Sequence, residues 1–354
     1  MTGHPFSRRR FLGGTLALAA AGSPLLTACG GSDSKTLTMV TWGGTTATGF
    51  EEAYAKPFTE KTGIAVDVIE PVDYGKYTAQ LDSGNITWDW VDIEGWFAFQ
   101  HIDKWAELDR DVIKIDDADL VQLPGRRSIE PWGTPSGSYS FVISYRTDNE
   151  DPHPTSWEEF FDPDAVPGKR SIYNWPYGML EAALLGDGVA FDDLYPLDID
   201  RALGKLDSVR DDLVFWNSGA ELQQQLTNGT VPFAFAWNNR VAYLGRRGEP
   251  VDIEWAENIQ DGGYDVSAKD NPSNDDVMKL LAFSSGAEPQ AQMALATGYS
   301  PATKSALAKI PTDDLRWYNA HQPNIDAAIG SLDLEWWAEN MTEASDRWSA
   351  WASS

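Results

Sequence analysis

Short apolar runs alternate with stretches of helical period along most of this chain, and that alternation constrains its fold more than any other feature. Trp90–Glu94, Arg170–Tyr173 and Leu213–Trp216 are too short for helices and are bounded by turn residues, so they read as strands. Further strands are expected at Thr36–Thr41, Ile64–Glu70, Tyr139–Tyr145, Pro232–Ala236 and Val251–Trp255. Helical periods fall between them, at Gly49–Lys61, Tyr74–Ser83, Asp198–Arg210, Ala220–Thr227 and Asn239–Arg246 among others. This pattern predicts an α/β protein. The last third reads as mostly helical and ends in Leu334–Trp351, where Trp337, Met341, Ala344, Trp348 and Trp351 recur at three- and four-residue steps. Such a stripe faces a core. Leu120–Gly137 lacks periodicity and holds several Pro and Gly, so it reads as a crossover between lobes, with a second near Gln260–Gly263. Two crossovers assign residues 36–138 with 262–308 to lobe 1, and 139–261 with 309–354 to lobe 2, around a cleft that can open and close.

The N-terminus is a targeting segment and stands outside the fold. Ser7-Arg8-Arg9-Arg10-Phe11-Leu12 resembles a twin-arginine export signal, and an apolar, glycine-broken stretch follows it. Leu26-Thr27-Ala28-Cys29 then resembles a lipoprotein cleavage site. Residues 1–28 are expected to be the signal peptide, Cys29 the lipidated residue, and residues 29–35 a flexible tether. These features predict a protein held by its lipid on the extracytoplasmic face of the cell membrane, in a periplasmic space or on the cell surface. No later segment approaches the run of about 18 apolar residues that a membrane span needs.

Lys and Arg total 27 against 54 for Asp and Glu, a formal charge of −27 that repels phosphate backbones and argues against nucleic acid as a partner. With a single Cys and four isolated His, no multi-cysteine or paired-histidine metal site is expected, and no cofactor. Motifs for a nucleophile elbow, a metalloprotease helix, a phosphate loop or a dinucleotide fold are missing from the sequence, so a non-enzyme is expected. A secreted carbohydrate-active enzyme is the alternative of another class, because a carboxylate pair is defined only in three dimensions.

The placement of the 16 Trp carries more information. Trp42, Trp96, Trp175, Trp216 and Trp237 stand at the carboxyl ends of expected strands, where open α/β sheets bind ligands. Trp42 and Trp237 are the best cleft candidates, being followed by Gly43-Gly44 and Asn238-Asn239. Trp88, Trp105, Trp157 and Trp255 read as packing residues. An aromatic cleft suits an amine cation or the apolar face of a sugar. A buried amine also needs carboxylates, for which Glu94, Glu181 and Asp265 are candidates, whereas Arg240 would pair with a carboxylate on the ligand.

Several segments together resemble a known family. They include Thr41-Trp42-Gly43-Gly44, Pro154-Thr155-Ser156-Trp157-Glu158-Glu159-Phe160, Phe215-Trp216-Asn217-Ser218-Gly219-Ala220, Ala236-Trp237-Asn238-Asn239-Arg240 and Gly298-Tyr299-Ser300-Pro301. In order and extent these are similar to bacterial extracellular solute-binding proteins of ABC transporters, of the spermidine/putrescine-binding type. The resemblance implies a type II periplasmic-binding-protein fold, with two α/β lobes, a hinged cleft, a membrane permease as partner and a monomeric receptor. It places Trp42, Trp237 and Tyr299 on the ligand, puts a third-strand element at Glu94–Trp96, and sets Tyr264 and Asp265 at a late aromatic-plus-acid element. The expected ligand is a polyamine such as putrescine or spermidine, with a zwitterion such as γ-aminobutyrate as the alternative.

Overall fold

The computed structural model describes residues 36–125, 129–149 and 152–354. The expected signal peptide, Cys29 and the tether lie outside the described residues. Strands form where the apolar runs predicted them: β1 (Leu37–Val40), β2 (Val66–Ile69), β3 (Trp90–Glu94), β4 (Thr134–Arg146), β5 (Arg170–Tyr173), β6 (Leu213–Trp216), β7 (Phe233–Trp237) and β8 (Val251–Val266). A ninth, β9 (Ala328–Ser331), had no clear signal, since a four-residue Ala-Ile-Gly-Ser run carries almost no alternation.

Among the described residues one sheet holds the nine strands, in the order β2-β1-β3-β8-β4-β7-β5-β6, with β9 beside β8. Its two ends are alike. On one side β2, β1 and β3 are parallel and β8 joins antiparallel; on the other, β6, β5 and β7 are parallel and β4 joins antiparallel. The long strands β4 and β8 pair with each other through the middle and change their outer neighbours along the way. Gly263–Val266 of β8 lies against β3, while Phe141–Tyr145 of β4 lies against β7.

The two stretches expected to hold the crossovers run into the long strands β4 and β8. Asp261-Gly262-Gly263, in the expected second crossover, sits inside the 16-residue strand β8. The Asp261 carboxylate accepts a 2.8 Å hydrogen bond from the Tyr139 hydroxyl on β4. At Gly263 a Cβ would stand 2.5 Å from the Ile93 carbonyl oxygen and 2.6 Å from Ser136 Oγ, so glycine is required by the close approach of β3 and β4. Likewise β4 begins at Thr134, within the stretch expected to be irregular.

The C-terminal helix, Leu334–Ala352, buries Trp337, Met341, Ala344 and Trp348, as its periodicity requires. Trp351 stays half-buried with the Arg210 guanidinium 4.6 Å from its ring centre. This helix touches both the Gly95–Gln100 helix and the Ile199–Ser208 helix, so it crosses from one end of the sheet to the other. Trp88, Trp105 and Trp157 are buried packing residues, and Trp255 is half-buried.

Candidate functional site

The carboxyl ends of the parallel strands converge on one cavity of about 600 Å³. Trp42 and Gly43 follow β1, Glu94 ends β3, Tyr173 ends β5, Asn217 follows β6 and Trp237 ends β7, and all of them line it. Ser136, Gly137 and Tyr139 of β4, with Gly263 of β8, form its floor where those strands change neighbours. An open α/β sheet places ligands outside the carboxyl ends of its strands, and here both ends of the sheet contribute.

One part of the lining is built for an anion. Arg240 projects from the Asn238–Gly245 helix directly after β7 and is 9% exposed. Its two terminal nitrogens donate to Thr45 Oγ1 at 3.0 Å and Thr46 Oγ1 at 3.4 Å, while its Nε has no partner. Among the described residues no carboxylate pairs with it. The guanidinium lies against Gly219, the first residue of the Gly219–Thr227 helix, which Ser218 caps by accepting the Glu221 N–H at 3.2 Å. Asn217, Ser218, Gly219 and Ala220 all face the cavity, so a helix N-terminus and a guanidinium without a counter-charge meet there.

Another part is acidic. Asp92 and Glu94 line the cavity from β3. Asp92 Oδ2 accepts from Thr41 Oγ1 at 3.0 Å, and burial pushes this carboxyl up to about 6 against the opposing hydrogen bonds of Ser136 and Thr41. Glu94 Oε2 accepts from Trp96 Nε1 at 2.8 Å and from the Tyr74 hydroxyl at 3.2 Å. Burial, with the charges of Asp261 and Asp92 nearby, pushes Glu94 up to about 7. Aromatic rings complete the wall. Tyr173 stacks on Trp216 with centroids 4.3 Å apart and meets Trp237 edge-on at 4.9 Å, and Trp42 meets Tyr74 edge-on at 5.9 Å. Among the described residues no group of three or more His, Cys, Asp or Glu is arranged to hold a metal ion.

Of the residues expected at the site, the structure brings Trp42, Glu94, Trp237, Arg240 and Tyr299 together in the lining. Four others are displaced from it. Trp96 is buried behind Glu94 and holds that carboxylate. Tyr264 packs on Trp132 and is 1% exposed. Asp265 sits opposite Asp92 in the β3–β8 register, buried behind the wall, where burial and the Asp92 charge drive its carboxyl well up. Glu181 is fully buried elsewhere and accepts from Tyr195 Oη and Trp337 Nε1, both at 2.6 Å. Asn238, after Trp237, accepts from the Ser140 N–H at 2.7 Å and donates to the Trp317 carbonyl at 2.9 Å, binding its helix to β4. Sequence reasoning passed over Asp92, Tyr139, Tyr173 and Gln223 in the lining. An acid inside the apolar run of β3 was the one available signal, because a buried strand rarely holds an Asp without a use for it.

Fold and cavity together define a periplasmic binding protein of the two-lobe type. Residues 53–320 match the model of the family described as bacterial extracellular solute-binding protein, and the chain belongs to that family. It is therefore a solute-binding receptor of an ABC importer. A γ-aminobutyric acid-binding protein of Pseudomonas aeruginosa is 30% identical over 99% of this chain and 97% of its own. The solved Atu4243 GABA receptor superposes with a TM-score of 0.82 at 36% identity, covering 90% of this chain and 97% of that one. The spermidine/putrescine-binding protein PotD of Streptococcus pneumoniae has a TM-score of 0.70 at 16% identity, over 90% and 99% of the two chains, a likeness of fold alone. The expected resemblance thus holds for the receptor class, and its polyamine branch lies further off than the GABA receptors.

Proposed function

We propose that this receptor captures γ-aminobutyrate, or an ω-amino acid of similar size, and hands it to a membrane permease. One observation carries the reading: Arg240 is buried in the cavity wall beside a helix N-terminus, with no carboxylate partner among the described residues. A ligand carboxylate would complete that arrangement with charge-assisted hydrogen bonds. A polyamine would bring only cations to it. The acids and aromatic faces of the same cavity suit the ligand's ammonium. The names of the two relatives above, both for GABA, support the same ligand.

The topology supports closure as part of this reading. The two ends of the sheet are joined by β4 and β8, and the proposed lobe boundaries, at 138/139 and 261/262, fall where these strands change neighbours. A ligand that touches residues from both ends favours whichever state brings them together, by its preference for that state. The export signal and the lipid on Cys29 complete the proposal, holding the receptor beside its permease.

Calorimetric titration with γ-aminobutyrate, putrescine and spermidine tests the ligand. The expected result is micromolar or tighter binding of γ-aminobutyrate and its loss in Arg240→Gln. Binding of the polyamines alone would return the ligand to the cation class.

A further inference from the structure

The acidic wall has a property that a simple ammonium receptor does not need. Three carboxyls, Asp92, Glu94 and Asp265, are packed onto adjacent strands, two of them opposite each other in the β3–β8 register. Among the described residues none of the three has a Lys, Arg or His partner, and Asp265 Oδ1 has no hydrogen-bond partner at all. The titratable groups that face Glu94 are Tyr74 from the helix after β2, Asp92 on its own strand, Asp261 on β8, Tyr139 on β4, Tyr173 on β5 and Tyr299. None of these supplies positive charge. Among the described residues Arg240 is the one cation in the lining, and it is held by Thr45 and Thr46. Two donors, Tyr74 and Trp96, engage Oε2 of Glu94, and the side chain borders the cavity.

Resting on the zwitterion reading above, we propose that Glu94 is the residue that selects the ligand's ammonium, and that it takes the ammonium in exchange for its own proton. In the free receptor half-buried Glu94, with no cation partner and the buried Asp92 on its own strand, keeps its proton, since a second negative charge beside Asp92 is costly. When the ammonium arrives, the O–H bond of Glu94 breaks, the proton leaves to water, and the carboxylate pairs with the cation. At the acidic wall the ammonium's charge replaces the proton's, while the ligand's carboxylate meets Arg240, so both ends of the zwitterion are paired and the site as a whole loses one positive charge. The position of Glu94 near 7 places this exchange within the ordinary pH range.

The test is calorimetry of γ-aminobutyrate binding in buffers of different ionisation enthalpy, at pH 6 and pH 8.5. An aliphatic amine keeps its proton over that range, so any proton released comes from the protein. The expected result is release approaching one proton per ligand at pH 6, almost none at pH 8.5, and affinity rising about tenfold between the two. Glu94→Gln should still fold and should lose both the proton release and the pH dependence. Binding at pH 6 without buffer dependence would overturn the exchange and leave the ligand reading standing. Full proton release in Glu94→Gln would overturn the assignment to Glu94. No binding at either pH would overturn the ligand reading and the exchange with it.

Discussion

Arg240 rests on the backbone of Gly219, so closely that a Cβ there would stand 2.5 Å from its Nε and 3.0 Å from its Cζ. The first residue of one helix is thereby kept bare by a side chain from another, and the guanidinium is held at that helix's N-terminus. Thr45 and Thr46, at the start of the Thr45–Phe50 helix, accept from its terminal nitrogens.

Gly219→Ala should therefore displace the guanidinium without unfolding the chain. A single added methyl in a crowded site costs about 1–3 kcal/mol, and here the cost falls on the ligand's carboxylate site. The expected outcome is an unchanged circular-dichroism spectrum with γ-aminobutyrate affinity reduced at least tenfold. Wild-type affinity would show that Arg240 does not read the ligand.

Trp237 offers a half-buried face to the cavity while its edge packs on Tyr173 and Trp216. Trp237→Ala should weaken ligand binding by at least ~1 kcal/mol, the scale of a cation–π contact. The aromatic stack loses a partner too, so thermal stability is measured alongside a calorimetric titration. Unchanged affinity would remove Trp237 from the ligand site.

Glu181 supplies a stability prediction far from the ligand. Burial, opposed by hydrogen bonds from Tyr195 and Trp337, raises its carboxyl from the ordinary 4.5 to about 7. The raised acid favours folding in its neutral form, so its contribution is full below about pH 4.5 and is lost as pH climbs through 7. Glu181→Gln keeps an acceptor for the two donors and carries no charge. It should match the wild type at pH 4.5 and exceed it at pH 8 by up to about 3 kcal/mol. Denaturant titrations at both pH values decide this, and parallel behaviour at the two would refute it.

For the anchor, Cys29→Ala should move the receptor from the membrane fraction to the soluble one. Fractionation followed by immunoblotting reads the outcome directly. Retention on the membrane would rule out the Cys29 lipid as the sole anchor.

Much of this molecule was legible before its tertiary structure. The four-residue strands β5 and β6 were predicted residue for residue, because apolar runs bounded by turns leave a short chain segment few alternatives. Trp42 and Trp237 were found by the same logic, since a strand's carboxyl end is a position in sequence as well as in space. Arg240 was singled out by its chemistry alone. What sequence could not decide was which acids share the cavity. Glu94, Glu181 and Asp265 look alike as acids near element ends, yet one lines the cavity, one is buried among Tyr195 and Trp337, and one stands behind Asp92. Their separation depends on the register of β3 against β8 and on the course of the C-terminal helix, both set by contacts between residues far apart in the chain. Local pattern fixes which residues form a strand and where it ends; only the assembled sheet decides what stands opposite, because pairing partners are chosen by packing across the whole fold.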